Sequence, residues 1–548
     1  MREAFFYMSN RVGRSIAGAG LGVMGRLRRR QVDKVIANYA DGQAELKRRY
    51  AITADTPIVT YDDTVRASVE EYAARTPGVR FAYTSGSTSQ PKKIAFPPKR
   101  VDNLVAGNVS VIARMVLREG VSGASLFILS GLKDDDSLST LVLSDAGKQV
   151  KYNAGLLTPA RYLSDPRFTE YIDTYGACAA RLWTLVLANS SIIYATNPST
   201  LALFLTDIHQ DWSTATRMVR DYVERPEKFS DGLHAIRRRC AAPGWKTRFR
   251  RVACAIEPIP VADYVPAFRI YCCWDGGYVR PFLDQIEAYL PRERHRLVPM
   301  YSMSTETVET LNYFDGDAVR FLPIGPDVYY EFLPADTNDD PAQLIGPTEL
   351  VVGNTYAMVV SDCYGLRRYQ TEDLFLCQAK VRDVPDLRFL RRRGIKYSFT
   401  GEKLTGEQLT DAFARLRESF PPLRKSGIQM TLIPTRPAGA TTPSYNLVLA
   451  HPGRQRPEWT DANATKVASA MDRELADINS EFSGKVESGR LGATSSVVMS
   501  YDKLAATLDA KTVDAEHAEK RTYDNQFKLL PLYSRLWQEL GFSDDSDE

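Results

Sequence analysis

Apolar residues recur along the chain with a spacing that changes several times, and each change marks an element. Over residues 31–50 and 62–74 apolar and charged positions alternate at helical spacing, with Pro57 breaking the pattern between them, so two helices are predicted. Residues 81–96, FAYTSGSTSQPKKIAF, pass from a short apolar strand through a loop of small hydroxyl residues to two lysines and a second apolar segment. A helix is predicted over 101–119 and a buried strand over 124–130. The stretch 156–248 is helical by period, and its runs at 182–194 and 201–208 are apolar enough to be core helices or to wall a ligand pocket.

From Arg250 the pattern shortens to β-like segments at 251–256 and 268–274, a helix at 278–290, and a strand at 296–300 that leads into YSMSTE. Antiparallel strands are predicted at 329–333, 348–352 and 356–361, with turns at 336–341 and 353–354. A basic cluster, RRRGIK, marks a boundary. Beyond it come a helix at 405–419, strands at 428–433 and 445–450, a long helix at 461–482, a strand at 495–500 and an acidic tail. The expected fold class is α/β. A large N-terminal α/β domain, 1–393, has mixed sheets flanked by helices, and a small α+β domain follows at 394–548.

Composition narrows the function classes. A chain of 548 residues exceeds one ordinary core, which agrees with two domains. Its 70 basic and 67 acidic residues nearly cancel, so nothing recommends nucleic acid as a partner. Seven cysteines without a Cys-x-x-Cys pair fit a reducing compartment, the cytoplasm. The five histidines stand far apart, so a metal held wholly by protein is not expected. Residues 16–25 are apolar, glycine-rich and flanked by arginines. They are too short to span a bilayer, so no stable membrane insertion is expected; a docking arm or helix on the protein's own body is predicted, with weak contact to acidic lipid or to a partner as the alternative.

Thr84, Ser85, Gly86, Ser87 and Thr88 set four hydroxyls and one flexible glycine side by side, so backbone N–H and O–H groups can turn together onto an anion such as phosphate. Walker A spacing is missing, and a polar surface turn is the alternative. Lys92 and Lys93 read as surface lysines or as mobile point charges that assist phosphate.

Four strings stand in order: TSGSTSQPKK from Thr84, YSMSTE ending at Glu306, GLRRYQTED ending at Asp373, and FLRRRGIKYSFTGEKL from Phe389. Together they resemble the adenylate-forming superfamily of acyl-CoA synthetases, nonribosomal adenylation domains and luciferases. Within it the chain most resembles the auxin-responsive Gretchen Hagen family of acyl acid amido synthetases. The likeness is densest over 321–409, where FLPIGPDVYYEFLP, AMVVSDCYGLRRYQTEDLF and VPDLRFLRRR are similar to the family's strand, "GLYRYRxGD" and "PxLxFxxRR" signatures. Near the C-terminus, Asn525, Gln526, Phe527 and Lys528 resemble the family's Asn-Gln-Tyr-Lys element. Residues 100–290 match only in general texture.

The resemblance implies ATP and Mg²⁺, and two half-reactions. A carboxylic acid attacks the α-phosphorus of ATP to give acyl-AMP and pyrophosphate; an amine of amino-acid type then takes the acyl group. By the same resemblance the hydroxyl loop cradles the departing pyrophosphate, Glu306 helps place Mg²⁺, and Asp373 accepts from the ribose hydroxyls. One of Arg392 and Arg393 contacts ribose or phosphate, and Lys528 bridges the attacking carboxylate and the α-phosphate. Tyr330 and Phe332 either stack on adenine or fill the strand's core face. The small domain is expected to be mobile, turning near Gly394 between half-reactions. The chain departs from the pattern at Ser89-Gln90, at Gln370 in place of the motif arginine, and at Glu372 in place of the motif glycine. Two rivals follow: an acyl-CoA ligase sharing the first half-reaction, and a nucleotide-binding protein with eroded catalysis.

Overall fold

Helical spacing at the N-terminus runs further than 31–50: α1 (Arg2–Ala37) leads into α2 (Tyr39–Arg49) across Asn38. The structure, a computed structural model, describes residues 2–61, 63–83, 92–120, 125–129, 159–196, 198–276, 280–300, 303–335, 337, 339–392, 396–397, 402, 404–425, 428–435, 442–451, 461–500 and 503–504. After α3 (Asp63–Arg75), residues 81–96 fold as an antiparallel hairpin in which β1 (Arg80–Tyr83) pairs with β2 (Lys93–Phe96), Tyr83 opposite Lys93. The turn itself, with Thr84, Ser85, Gly86, Ser87 and Thr88, lies outside the described residues.

Helix α4 (Pro98–Arg118) follows the hairpin and receives α1, as the docking expectation requires. Gly25 of α1 sits so close that a Cβ there would come within 2.5 Å of the Ala113 carbonyl oxygen. Arg14 is buried and donates to the carbonyls of Ala188 at 2.7 Å and Cys240 at 2.9 Å, the last residues of the helices Ala177–Ala188 and Asp231–Cys240. Carbonyls at helix ends lack intrahelical donors, and one guanidinium satisfies two of them.

Strands β3 (Leu126–Ile128), β4 (Ile192–Tyr194), β5 (Ile270–Cys273) and β6 (Arg296–Pro299) form a parallel sheet in that order. Its faces are both covered, which suits the apolar runs of β4 and β5. Cys273 packs among the helices of the 159–290 region, and Cys272 packs with Val111 and Met115 of α4, so the adjacent cysteines face opposite sides as expected. β7 (Leu311–Asp315) and β8 (Ala318–Leu322) make a hairpin. β9 (Val328–Pro334), β10 (Thr355–Asp362), β11 (Tyr369–Val381) and β12 (Val384–Arg392) form an antiparallel meander, packed on Val65 and Val69 of α3.

Past the short pair β13 (Lys396–Tyr397) and β14 (Leu404–Thr405), Thr405 caps the helix Gly406–Ser419 through a reciprocal capping box with Gln408. β15 (Gln429–Thr435), β16 (Ser444–His451) and β17 (Ser495–Ser500) form a mixed sheet. Its core, including Leu416, Leu447, Met471 and Phe482, comes from residues 404–504, with partly buried Leu203 packed against it.

Three expected elements are corrected. Residues 251–256 are not a strand: they fall largely within the helix Trp245–Cys254, where Trp245, Arg248, Phe249 and Val252 bury one face at helical spacing. Residues 348–352 are not a strand either, because Pro347 opens the 3₁₀ turn Pro347–Glu349 and leaves Val351 and Val352 exposed. The 461–482 helix breaks at Asn479, whose side chain accepts from the Phe482 N–H at 2.9 Å and restarts it as Ser480–Glu487.

Candidate functional site

Parallel strands in α/β folds present ligands at their C-terminal ends. The chain leaving that end of β6 turns sharply, with Met303 bridged to Val308 and the Ser304 hydroxyl accepting from the Thr307 N–H at 3.2 Å. Glu306 sits in this turn and is buried.

Its carboxylate is held by two strings distant in sequence. Lys92, at the exit of the hydroxyl loop, donates from Nζ to Glu306 Oε1 at 3.0 Å and to the Tyr369 hydroxyl at 2.8 Å, and Tyr369, at the start of β11, donates to the same Oε1 at 3.3 Å. The ammonium lies 5.5 Å from the Tyr369 ring centroid and 6.0 Å from that of Tyr61. Lys92 keeps 14% and Glu306 9% of its side chain exposed, so the pair is largely withdrawn from water. Lys92 is therefore not a surface lysine; the sequence offered only its place directly after the loop. Beside it, the Tyr61 hydroxyl accepts from the Lys93 N–H at 2.8 Å and fixes the start of β2.

Arg100 backs the turn from below. Its guanidinium donates to the Ala95 carbonyl at 2.9 Å and to the Glu306 carbonyl, stands 3.9 Å from the Asp362 carboxylate, and lies over the rings of Phe96 and Tyr364. Burial pushes the Asp362 carboxyl up, opposed by Arg100 and by the Leu366 and Tyr364 N–H groups. Neither Arg100 nor Asp362 was singled out from sequence. A shallow cleft, open to solvent, is lined by Arg100, Asn103, Thr307, Asp362 and Tyr364.

Further along β11 the ladder to β10 slips: Ala357 faces Leu374 but Val359 faces Gln370, so Thr371, Glu372 and Asp373 form a bulge. The Thr371 hydroxyl donates to the Met358 carbonyl and accepts from the Asp373 N–H, both at 3.2 Å. Asp373 is half-buried and pairs across the ladder with Arg392. The bulge explains the family glycine. Glu372 has φ of +65°, the left-handed region that costs a side chain about 1–2 kcal/mol. Glu372→Gly is therefore expected to unfold at the same or higher urea concentration than the parent, and Glu372→Val to lose about 1–2 kcal/mol by the same measurement.

The remaining candidates divide. Arg392 is described in its backbone alone, and Arg393, Thr84, Ser85, Gly86, Ser87, Thr88 and Lys528 lie outside the described residues. Tyr330 and Phe332 are fully buried on the core face of β9. The Tyr330 hydroxyl donates to the Val308 carbonyl at 2.6 Å and accepts from the Gly325 N–H at 3.0 Å. Both rings thus fill the core, and neither is free to stack on adenine. Gln370, in place of the motif arginine, is buried and donates to Asp339 at 3.2 Å. A further carboxyl unmarked by sequence, Asp275, lies just past the C-terminal end of β5, and burial pushes it up against the opposing charge of Arg388.

Among the described residues no group of three or more His, Cys, Asp or Glu could hold a metal. One carboxylate nonetheless suits Mg²⁺, which is commonly bound through one or two carboxylates with phosphate and water completing its shell. Both described contacts to the Glu306 side chain fall on Oε1, so the donor set fits that mode through Oε2.

Residues 321–392 match the GH3 family central domain. The chain is 25% identical over 198 residues to an indole-3-acetic acid-amido synthetase of Arabidopsis thaliana, GH3.17, covering 33% of this chain and 31% of that protein. It is 29% identical over 107 residues to the amido synthetase GH3.8 of Oryza sativa subsp. indica, covering 19% and 18%. The matches thus span a third or less of those two relatives. The solved structure of AtGH3.15 acyl acid amido synthetase in complex with 2,4-DB superposes with a TM-score of 0.63 at 14% identity, over 82% of this chain and 81% of that one, a likeness of fold.

Proposed function

We propose that this chain, which carries a GH3 family central domain, is an ATP-dependent acyl acid amido synthetase that adenylates a carboxylic acid and passes the acyl group to an amino acid. The supporting observation is convergence. Lys92 at the loop exit, Glu306 in the turn after β6 and Tyr369 of the central domain touch one another, and Asp373 with Arg392 lies four residues further along β11. These groups answer the demands of adenylation, in which charge building on a phosphoryl group needs fixed cations and donors. Lys92 ties the exit of the hydroxyl loop to Glu306, so that loop and carboxylate would meet the β- and γ-phosphates in a set geometry. Asp373 accepts from the ribose hydroxyls, with Arg392 or Arg393 beside it. Glu306 holds Mg²⁺, which when bound would offset charge on the phosphates. Lys528 bridges the acid and the α-phosphate.

The separate core of residues 404–504 supports a small domain from 394 onward that delivers Lys528 and then turns to admit the amine. The seven free-cysteine positions support a reducing, cytoplasmic setting.

The test is acid-dependent exchange of pyrophosphate into ATP across pooled carboxylic acids, followed by mass spectrometry of adducts formed with amino acids or with coenzyme A. Amide products support the proposal; thioesters alone would make the chain an acyl-CoA ligase; nucleotide binding without exchange would leave it a binding protein. Lys528→Ala is expected to lower exchange on the order of 10²–10³, the loss of one charge-stabilising donor. Unchanged exchange in that variant removes the assignment.

A further inference from the structure

The outward side of the first helix is neither covered nor explained by adenylation. Helix α1 buries Arg14, Gly18 and Gly25 toward the body, while its opposite side carries Val12, Ile16, Val23 and Leu27, which keep 54%, 68%, 57% and 55% of their surface exposed. At 100° per residue these four fall within an arc of about 60°. Ala19 and Gly20, also exposed, lie in the same stripe, so the outward face holds apolar or small residues for about four turns. The same face then becomes cationic at Arg26, Arg30 and Lys34, all exposed, with Arg29 exposed beside them.

Charge is concentrated here. Residues 2–37 hold eight basic and two acidic side chains, a surplus of six, whereas the whole chain has a surplus of three, so the rest of the molecule is net negative. The acidic residue nearest the cluster, Asp33, accepts from the Tyr313 hydroxyl at 3.1 Å and is turned to the body. At the other end of the stripe α1 meets the helix Asp231–Cys240 on its body side, where Arg14 holds the Cys240 carbonyl. An apolar helical face that runs into a cationic one matches the boundary layer of an anionic bilayer, where apolar side chains enter the acyl region and arginines meet the headgroups. No helix among the described residues is long and apolar enough to cross a membrane, and the stripe is about 22 Å long, so the fit is to a helix lying flat. A second copy packed in parallel on the same face would bring the two arginine clusters together, which like-charge repulsion opposes.

We propose that the outward face of α1 is a docking surface for membranes rich in anionic phospholipid, holding the protein on the bilayer without insertion across it. The experiment is co-sedimentation of the full chain with phosphatidylcholine vesicles, with and without phosphatidylserine, at low and physiological salt. Binding is expected to phosphatidylserine vesicles, weaker as salt rises, and not to phosphatidylcholine alone. Ile16→Glu with Val23→Glu is expected to abolish binding. Arg26→Glu with Arg29→Glu and Arg30→Glu is expected to weaken it at least about a hundredfold, roughly fivefold or more for each cation lost. All five positions are exposed, so urea midpoints should match the parent and separate lost docking from lost fold. No binding of the parent to phosphatidylserine vesicles, or binding by both variants as tight as the parent's, overturns the proposal. A dimer seen by light scattering that Ile16→Glu with Val23→Glu splits, in a protein that ignores vesicles, overturns it in favour of a second copy of this chain.

Discussion

Lys92→Met is expected to lower stability by about 3 kcal/mol and acid-dependent pyrophosphate exchange by two to three orders of magnitude. The two losses have different causes. Removing the ammonium leaves the Glu306 carboxylate buried with the Tyr369 hydroxyl as its one remaining described partner, and an uncompensated buried charge is what makes breaking such a pair costly. The exchange reaction suffers because the exit of the hydroxyl loop is no longer tied to Glu306. A second variant separates the effects. Lys92→Met with Glu306→Leu replaces both charges by apolar groups of similar length, which returns most of the stability, since a buried pair gains little over a well-packed apolar one. Exchange stays lost. Urea unfolding and pyrophosphate exchange on the parent, single and double variants read both quantities. A single variant that unfolds with the parent would mean that Lys92 swings out to water and that the pair has no stabilising role.

The Lys92–Glu306 pair is invisible in the sequence, and the reason is physical. Glu306 lies 214 residues from Lys92, and a lysine after Ser-Gln-Pro has every local mark of exposure. What local sequence does carry was legible: the two apolar ends of the hydroxyl loop, the strands β9 and β10, and the helix from 405 to 419, whereas β11 was not read as a strand. The stretch 251–256 misled because Arg-Val-Ala-Cys-Ala-Ile contains β-branched residues that suit a strand as well as a helix, and its burial partner Trp245 decides between them. Glu372 shows the reverse: its departure from the family glycine was visible at once, but only the bulge at Met358 shows that a left-handed backbone is what glycine served there. The candidate Asp373 on β11 is marked by the motif. Arg100 and Asp362, which back the Glu306 turn, act through tertiary contacts that no spacing rule records.

Arg368 is the sharpest case, and its removal should cost more stability than the loss of Lys92. It lies within GLRRYQTED, two residues before Gln370. Its guanidinium grips Glu331 of β9 with two bonds of 2.9 Å, Nε to Oε2 and Nη2 to Oε1, and its Nη1 donates to the carbonyls of Thr56 at 2.6 Å and Ala54 at 3.2 Å. Arginine and glutamate keep 4% and 5% of their side chains exposed. The backbone adds to the joint, with the Val59 N–H donating to the Arg368 carbonyl at 3.0 Å and the Gln370 N–H to the Val59 carbonyl at 2.8 Å. Arg368 therefore fastens the 54–59 segment to the sheet that carries Tyr369 and Asp373. Arg368→Met is expected to lose about 4 kcal/mol, since it strands a buried carboxylate and two carbonyls together. Arg368→Lys keeps the charge but not the planar fork, and should lose about 2 kcal/mol. Arg368→Met with Glu331→Leu should recover part of the loss but not all, because the Ala54 and Thr56 carbonyls still lack their donor. Urea midpoints order the three variants. Measured on folded Arg368→Lys, nucleotide affinity is expected to stay within about threefold of the parent, a shift below 1 kcal/mol; a large drop in affinity at parental stability would instead place Arg368 at the nucleotide.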